Sequence, residues 1–352
     1  MADSVPKASL YYYPPSIWCA AVLLCLEEKG YSEEEIDKKV VDLSKGENYA
    51  LSFLRLNPKA TVPTLVAPLE KTLSAEVESR FKALTETKTI IEFLDKSRSA
   101  FSRTNTTSSA PAPALAPATI AFTTVSNSII DLLHSDEAHP GAARWYNARD
   151  EATLAKICPS LQAFFAAKRD AIAASLAESE KGAIQASAKT KKFWEDKSTA
   201  ASEFAQLFGD GEKPESELSP EAKAKREEYF NTAKLVWETN LRNVLTRLSK
   251  EMIGPHALGD QLSLADLHLG AWLARLVTLA GGDISDKGDV AIGKLEKHIG
   301  NGFALPKDFQ WTPARRDDTS EVKPVVQSKL AAFWDAVRER PSWKKVYANG
   351  LH

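Results

Sequence analysis

The sequence predicts an α/β region over residues 8–96 followed by an all-helical region over 120–352. Three observations carry that division. Before residue 96, short aromatic or β-branched runs alternate with helical stretches and are punctuated by proline and glycine. After residue 120 strand alternation disappears and apolar residues recur at helical spacing. Between them, residues 97–119 are rich in Ser, Thr, Ala and Pro and have too few apolar residues to pack, so an exposed linker is expected. The expected domains are therefore 1–96, a linker at 97–119, and 120–352.

In chain order, Ala8 to Tyr13 is aromatic and β-prone, a first strand stopped by Pro14-Pro15. Ser16 stands at the N-cap position of an apolar helix, Ile17 to Leu26, which turns charged at Glu27 and ends at Gly30. Lys39 to Leu43 reads as a second strand, parallel to the first through that helix. Thr64 to Val66 begins a third and Arg80 to Leu84 a fourth, separated by a charged segment at 70–79. Apolar residues at 90, 91 and 94 mark a helix, with Thr87 as its natural cap. Further helices are expected at 120–134, 151–177, 220–251, 263–280 and 324–337. The stretches 179–219 and 281–321 are polar and of low periodicity, and are expected to be insertions or long surface segments. Ser263 and Asp266 form a capping box, with Leu262 and Leu267 as its hydrophobic staple.

Composition narrows the function. A chain of 352 residues with 43% hydrophobic content can bury a substantial core. Its net charge of −2 gives no global field toward nucleic acid or a membrane surface, and neither partner is expected. The start has no apolar leader, and the longest apolar run, 19–26, is too short to span a bilayer; a cytoplasmic location is expected. Three cysteines without paired spacing argue against a disulfide framework, and no His/Cys set has zinc-ligand spacing, so no metal is expected.

The chemistry gathers around Leu54 to Val66, centred on Val62-Pro63-Thr64. Proline there belongs at a strand's first residue, and X-Pro is the common place for a cis peptide. A tight turn of that kind presents the Val62 main chain outward, where an extended peptide-like ligand can pair with it. Ser16, as N-cap, aims its hydroxyl and the first-turn N–H groups at one point, together with the positive end of the helix dipole. A thiolate held there is favoured over a thiol, whose ordinary pKa is about 8.5. Thr87 caps a helix start whose N–H groups suit a carboxylate.

The order Ser16-x-x-Cys19, Asn57-Pro58 with Val62-Pro63, Glu86-Thr87, and Gly259-Asp260-x-x-Ser263-x-Ala265-Asp266 resembles the cytosolic glutathione transferases. Each motif is weak alone; the four in order at suitable distances are fairly specific. The likeness covers 8–96 and 255–280, and the remaining helical half only by class. It implies a thioredoxin-like N-terminal domain, an all-helical C-terminal domain with insertions, and glutathione as the thiol substrate. The serine-type start and the Lys29-Gly30 helix ending look most like the serine-dependent classes, including the glutathione-dependent β-etherases.

On that resemblance Ser16 is the catalytic hydrogen-bond donor to the cofactor's sulfur, and Val62 and Pro63 meet the cysteinyl part of glutathione. Glu86 receives the γ-glutamyl ammonium, and Thr87 lies beside the carboxylate. Lys59, with Arg55 second, is the candidate for the glycine carboxylate, since Thr61 replaces the basic residue often found just before Val-Pro. The second substrate is a small hydrophobic electrophile, with Tyr12 and Trp18 lining its site and His134, Trp145 and Tyr146 as further aromatic candidates. Cys19 reads as a buried inert thiol, with a mixed disulfide to glutathione as its alternative; Cys19, Tyr12 and Tyr13 stand as alternatives to Ser16, and the family often forms homodimers. A second reading is open at this point: a non-catalytic ligand-binding or interaction module on the same fold.

Overall fold

Leu10 and Leu65 are almost fully buried and face each other as cross-strand partners, which fixes the centre of a small mixed sheet. The computed structural model describes residues 7–68, 81–99, 108–312 and 324–352. In chain order the elements are β1 (Ala8–Tyr12), α1 (Ile17–Glu28), β2 (Ile36–Val40), α2 (Leu51–Leu54), β3 (Thr64–Pro68), β4 (Phe81–Leu84) and α3 (Thr87–Ser97). Then come α4 (Ile120–Leu133), α5 (Pro140–Trp145), α6 (Glu151–Glu180), α7 (Ala188–Gly209), α8 (Pro220–Lys234), a π-type turn over Leu235–Leu241, and α9 (Arg242–Glu251). The last are α10 (Leu264–Leu279), α11 (Gly288–Ile299), β5 (Phe309–Trp311), β6 (Val325–Gln327), α12 (Lys329–Arg338) and α13 (Pro341–Val346). Arg80, the segment 70–79, residues 100–107 of the expected linker and residues 313–321 of the second polar stretch lie outside the described residues.

The chain divides into two compact units, each assembled from separated stretches. The first holds residues 1–14, 36–86 and 145–234. Its sheet has the order β2-β1-β3-β4; β1 and β2 run parallel, and the other two pairings are antiparallel. Its helices α6 and α7 lie along each other. Their seam is aromatic: Phe165, Phe204 and Phe208 stack in turn, and Tyr229 closes them off. α6 also packs on the turns at residues 43–49, where Trp194 from α7 donates its indole N–H to the Tyr49 carbonyl at 3.0 Å.

The second unit holds residues 15–35, 87–144 and 235–352. It is organised around α10, which is apolar nearly all round and packs against α1, α4 and α11. The capping box at its start is present: the Asp266 carboxylate accepts from the Ser263 N–H at 2.7 Å and the Ser263 hydroxyl at 2.6 Å. It also accepts from the Ala257 N–H at 2.7 Å.

Several sequence expectations move. β2 begins at Ile36 rather than Lys39, because Ile36 is its buried member and Asp42 already leaves the strand to cap the next turn through Ser44. The low-periodicity stretch 179–219 contains α7, a 22-residue helix. Its buried stripe, Trp194, Ala201, Ala205 and Phe208, is half alanine and so reads as weakly apolar. The stretch 281–321 likewise contains α11, and residues 324–328 are not helical. There Val325 and Val326 form β6, paired with β5, a two-stranded exception in a largely helical half. The linker is not exposed throughout: Ala112 and Leu115 are buried. Arg98 reaches the Ala110 carbonyl, and Asp95 accepts from the Leu115 and Ala116 N–H groups. Of these anchors, Asp95 lies on α3 ahead of the low-complexity segment, and Arg98 stands at that segment's start.

Candidate functional site

Ser16 has extended backbone angles and caps α1, its hydroxyl oxygen accepting from the Cys19 N–H at 3.4 Å. That leaves the hydroxyl hydrogen to donate. No acidic residue sits in the first turn of α1, so the positive end of the helix keeps its charge. Cys19 is fully buried.

The proline turn belongs to the first unit. The Val62–Pro63 bond is cis, and a second cis bond precedes Pro255. Among the described residues no hydrogen bond reaches the Val62 main-chain N–H or C=O. Asn57 builds this turn. Fully buried, it donates from Nδ2 to the Thr61 carbonyl at 2.8 Å and to the Thr61 and Thr64 hydroxyls at 3.0 Å. Its Oδ1 accepts from the Lys59 N–H at 3.0 Å. Asn48 adds a bond to the carbonyl of Ala60, a residue at φ 56°. The sequence motif contains Asn57, but its role shows only once the turn is closed around it.

The two charges expected at opposite ends of the tripeptide pair with each other: Lys59 Nζ bonds the Glu86 carboxylate, with both side chains exposed. Arg55 is exposed. Thr87 is the first residue of α3 rather than the residue before it, and is buried.

Among the aromatic candidates, Trp18 stacks on His134 at 4.0 Å between ring centroids and 17° between planes. His134 Nε2 in turn lies 2.9 Å from His268 Nδ1. His268 is buried, and burial, with His134 and Lys88, holds its pKa well below the usual histidine value. The sequence reading missed His268 because it sits mid-helix on a face that looks like plain core. Trp145 and Tyr146 instead join the aromatic seam of the first unit, on Phe165 and Tyr229. Tyr12 ends β1, its carbonyl accepting from the Val41 N–H at 2.8 Å.

Residues 15–97 match the family model for the glutathione S-transferase N-terminal domain. Among solved structures, the chain is similar to a beta-etherase from Sphingobium sp. strain SYK-6, at 15% identity and TM-score 0.47, covering 98% of this chain and 100% of that one. It is also similar to a glutathione transferase from Populus trichocarpa, at 16% identity and TM-score 0.46, covering 96% and 97%. A third likeness is to a glutathione transferase homologue from Sulfitobacter with bound glutathione, at 16% identity and TM-score 0.41, covering 97% and 98%. At those scores the overlaps add no argument to the domain match. The fold is a thioredoxin-like domain of the glutathione S-transferase N-terminal type followed by a largely helical region.

Proposed function

We propose that the protein binds glutathione and joins it to hydrophobic, aromatic electrophiles, aryl ethers among them. The observation that carries this reading is Ser16, a helix N-cap with a hydroxyl hydrogen to donate, inside a segment matching the glutathione S-transferase N-terminal domain. In this reading the Ser16 hydroxyl and the amino end of α1 hold the sulfur as thiolate, the proton passing to solvent. The sulfur lone pair forms the C–S bond, and the leaving group departs with the electron pair of the bond that breaks. The Val62 main chain pairs with the cysteinyl residue, and Pro63 fixes the turn that presents it. Glu86 takes the γ-glutamyl ammonium and the start of α3 at Thr87 its carboxylate. Lys59 turns from Glu86 to the glycine carboxylate, at little cost, because an exposed ion pair contributes less than about 1 kcal/mol. Tyr12 and Trp18 line the electrophile site.

A cytoplasmic homodimer is the setting this reading supposes. Its cysteines are all buried, and no described helix is long and apolar enough to cross a membrane. Calorimetric titration with glutathione, followed by a conjugation screen over aryl ethers, isothiocyanates and halogenated nitroaromatics, tests the reading. Saturable binding and turnover of at least one class are expected; absence of binding ends it.

A further inference from the structure

Within the second unit, α1, the end of α4 and the middle of α10 bring Trp18, His134 and His268 into one cluster. Trp18 lies in the first turn of α1, two residues, or about 3 Å of helix rise, past Ser16. Its half-buried ring stacks on His134, and His134 Nε2 lies 2.9 Å from His268 Nδ1. The His268 ring stands edge-on to His134 at 5.0 Å and also approaches Trp18, at 6.0 Å. The two histidines differ in setting: His134 is exposed and closes α4, whereas His268 is buried. Lys88, whose charge reaches His268, is itself paired with Asp131 at 2.9 Å.

A core histidine in an apolar helix needs only a main-chain carbonyl or a water for its ring nitrogen. His268 meets an exposed second histidine instead, held in place by an indole from the helix that starts at Ser16. Two imidazoles at this distance share one proton between them, one nitrogen donating and the other accepting. Burial keeps His268 neutral, so a further proton entering the pair rests on His134. His134 Nε2–H then donates to the Nδ1 lone pair of His268, and the second acidic proton of the His134 imidazolium is on Nδ1. An acid tethered this way beside the first turn of α1 suits a leaving group that departs as an anion. Chloride needs no such help, but a phenolate does, since a phenol of the tyrosine kind holds its proton to about pH 10.

We propose that His134 is the general acid of aryl ether cleavage, with His268 as the positioning residue that orients its ring. This rests on the glutathione reading. The thiolate sulfur forms the C–S bond, the C–O bond breaks with its electron pair going to oxygen, and His134 passes its proton to that oxygen. Neutral phenol leaves, and the ring takes a proton back from water. Two probes, 1-chloro-2,4-dinitrobenzene and 2,4-dinitrophenyl phenyl ether, yield the same glutathione conjugate by loss of chloride or of phenolate. The ratio of ether kcat to chloride kcat is expected to fall about tenfold or more in His134→Phe, which keeps a ring on Trp18 and removes the proton. His268→Leu should lower the same ratio, and His268→Gln, which keeps an acceptor, should restore part of it. Across ethers whose phenols rise in pKa, kcat should fall more steeply in His134→Phe than in the wild type. A ratio unchanged in His134→Phe, or chloride displaced by the wild type with no ether cleaved, overturns the proposal and leaves the glutathione reading standing. Absence of glutathione binding in calorimetry ends both.

Discussion

Asn57 is buried without a charge to explain it, and its four hydrogen bonds set the shape of the turn that presents Val62. Removing a buried amide with that many partners leaves several polar groups unsatisfied. Asn57→Ala is therefore expected to lower stability by about 2–4 kcal/mol, measured by urea unfolding. A loss under half a kilocalorie would mean the turn holds itself. The Lys59–Glu86 pair makes the opposite case. Both side chains are exposed, so Lys59→Ala should change stability by less than about 1 kcal/mol while weakening glutathione binding several-fold. The cap at Ser16 and the turn at Val62-Pro63 are written in neighbouring residues, so both could be read from the sequence as local structure. His268 acts through His134, far along the chain, so nothing in its immediate neighbours gives its role away; the partners of Asn57 are close in sequence, and only the closed turn brings them onto one amide.

Among the elements, α6 depends on a close approach at its N-terminal half. A Cβ on Gly211 would stand 1.8 Å from Cys158 Sγ, far inside van der Waals contact. Gly211→Ala is expected to destabilise by roughly 1–3 kcal/mol, and Cys158→Ala in the same chain to recover part of that loss. Additive losses in thermal melts of the single and double variants would contradict this packing. The α10 cap tests the other unit: Asp266→Ala strands the Ala257 and Ser263 N–H groups and should cost on the order of 3 kcal/mol. That capping box and its staple could be read from six consecutive residues, 262–267. α7 could not, because alanines carry half of its buried stripe. β6 was hidden likewise, since its partner β5 lies across a long polar stretch that gives no hint of pairing.

At the scale of the molecule, stability should fall in mild acid for an identifiable reason. His268 is held neutral by burial, with a folded pKa below its ordinary 6.5, so below that pH the unfolded chain binds the extra proton. Stability conferred by the neutral ring is then present above about pH 6.5 and is lost as pH falls below it. His268→Gln should flatten the curve between pH 7 and 5, by up to about 1.4 kcal/mol per pH unit at most. An unchanged slope would place the acid sensitivity elsewhere. The Glu28 carboxylate acts at lower pH. Burial would raise its pKa, but hydrogen bonds from Arg340 and Ser342 prevail and lower it, so its contribution is lost only in stronger acid.

The central claim is that the amino end of α1, through Ser16, holds a thiolate. Ultraviolet titration of bound glutathione near the thiolate band reads this directly. The account predicts a bound thiol pKa at least about one unit below the ordinary 8.5, moving back toward that value in Ser16→Ala with glutathione affinity largely kept. A bound thiol that titrates like the free one, or one that ignores the loss of Ser16, would contradict it.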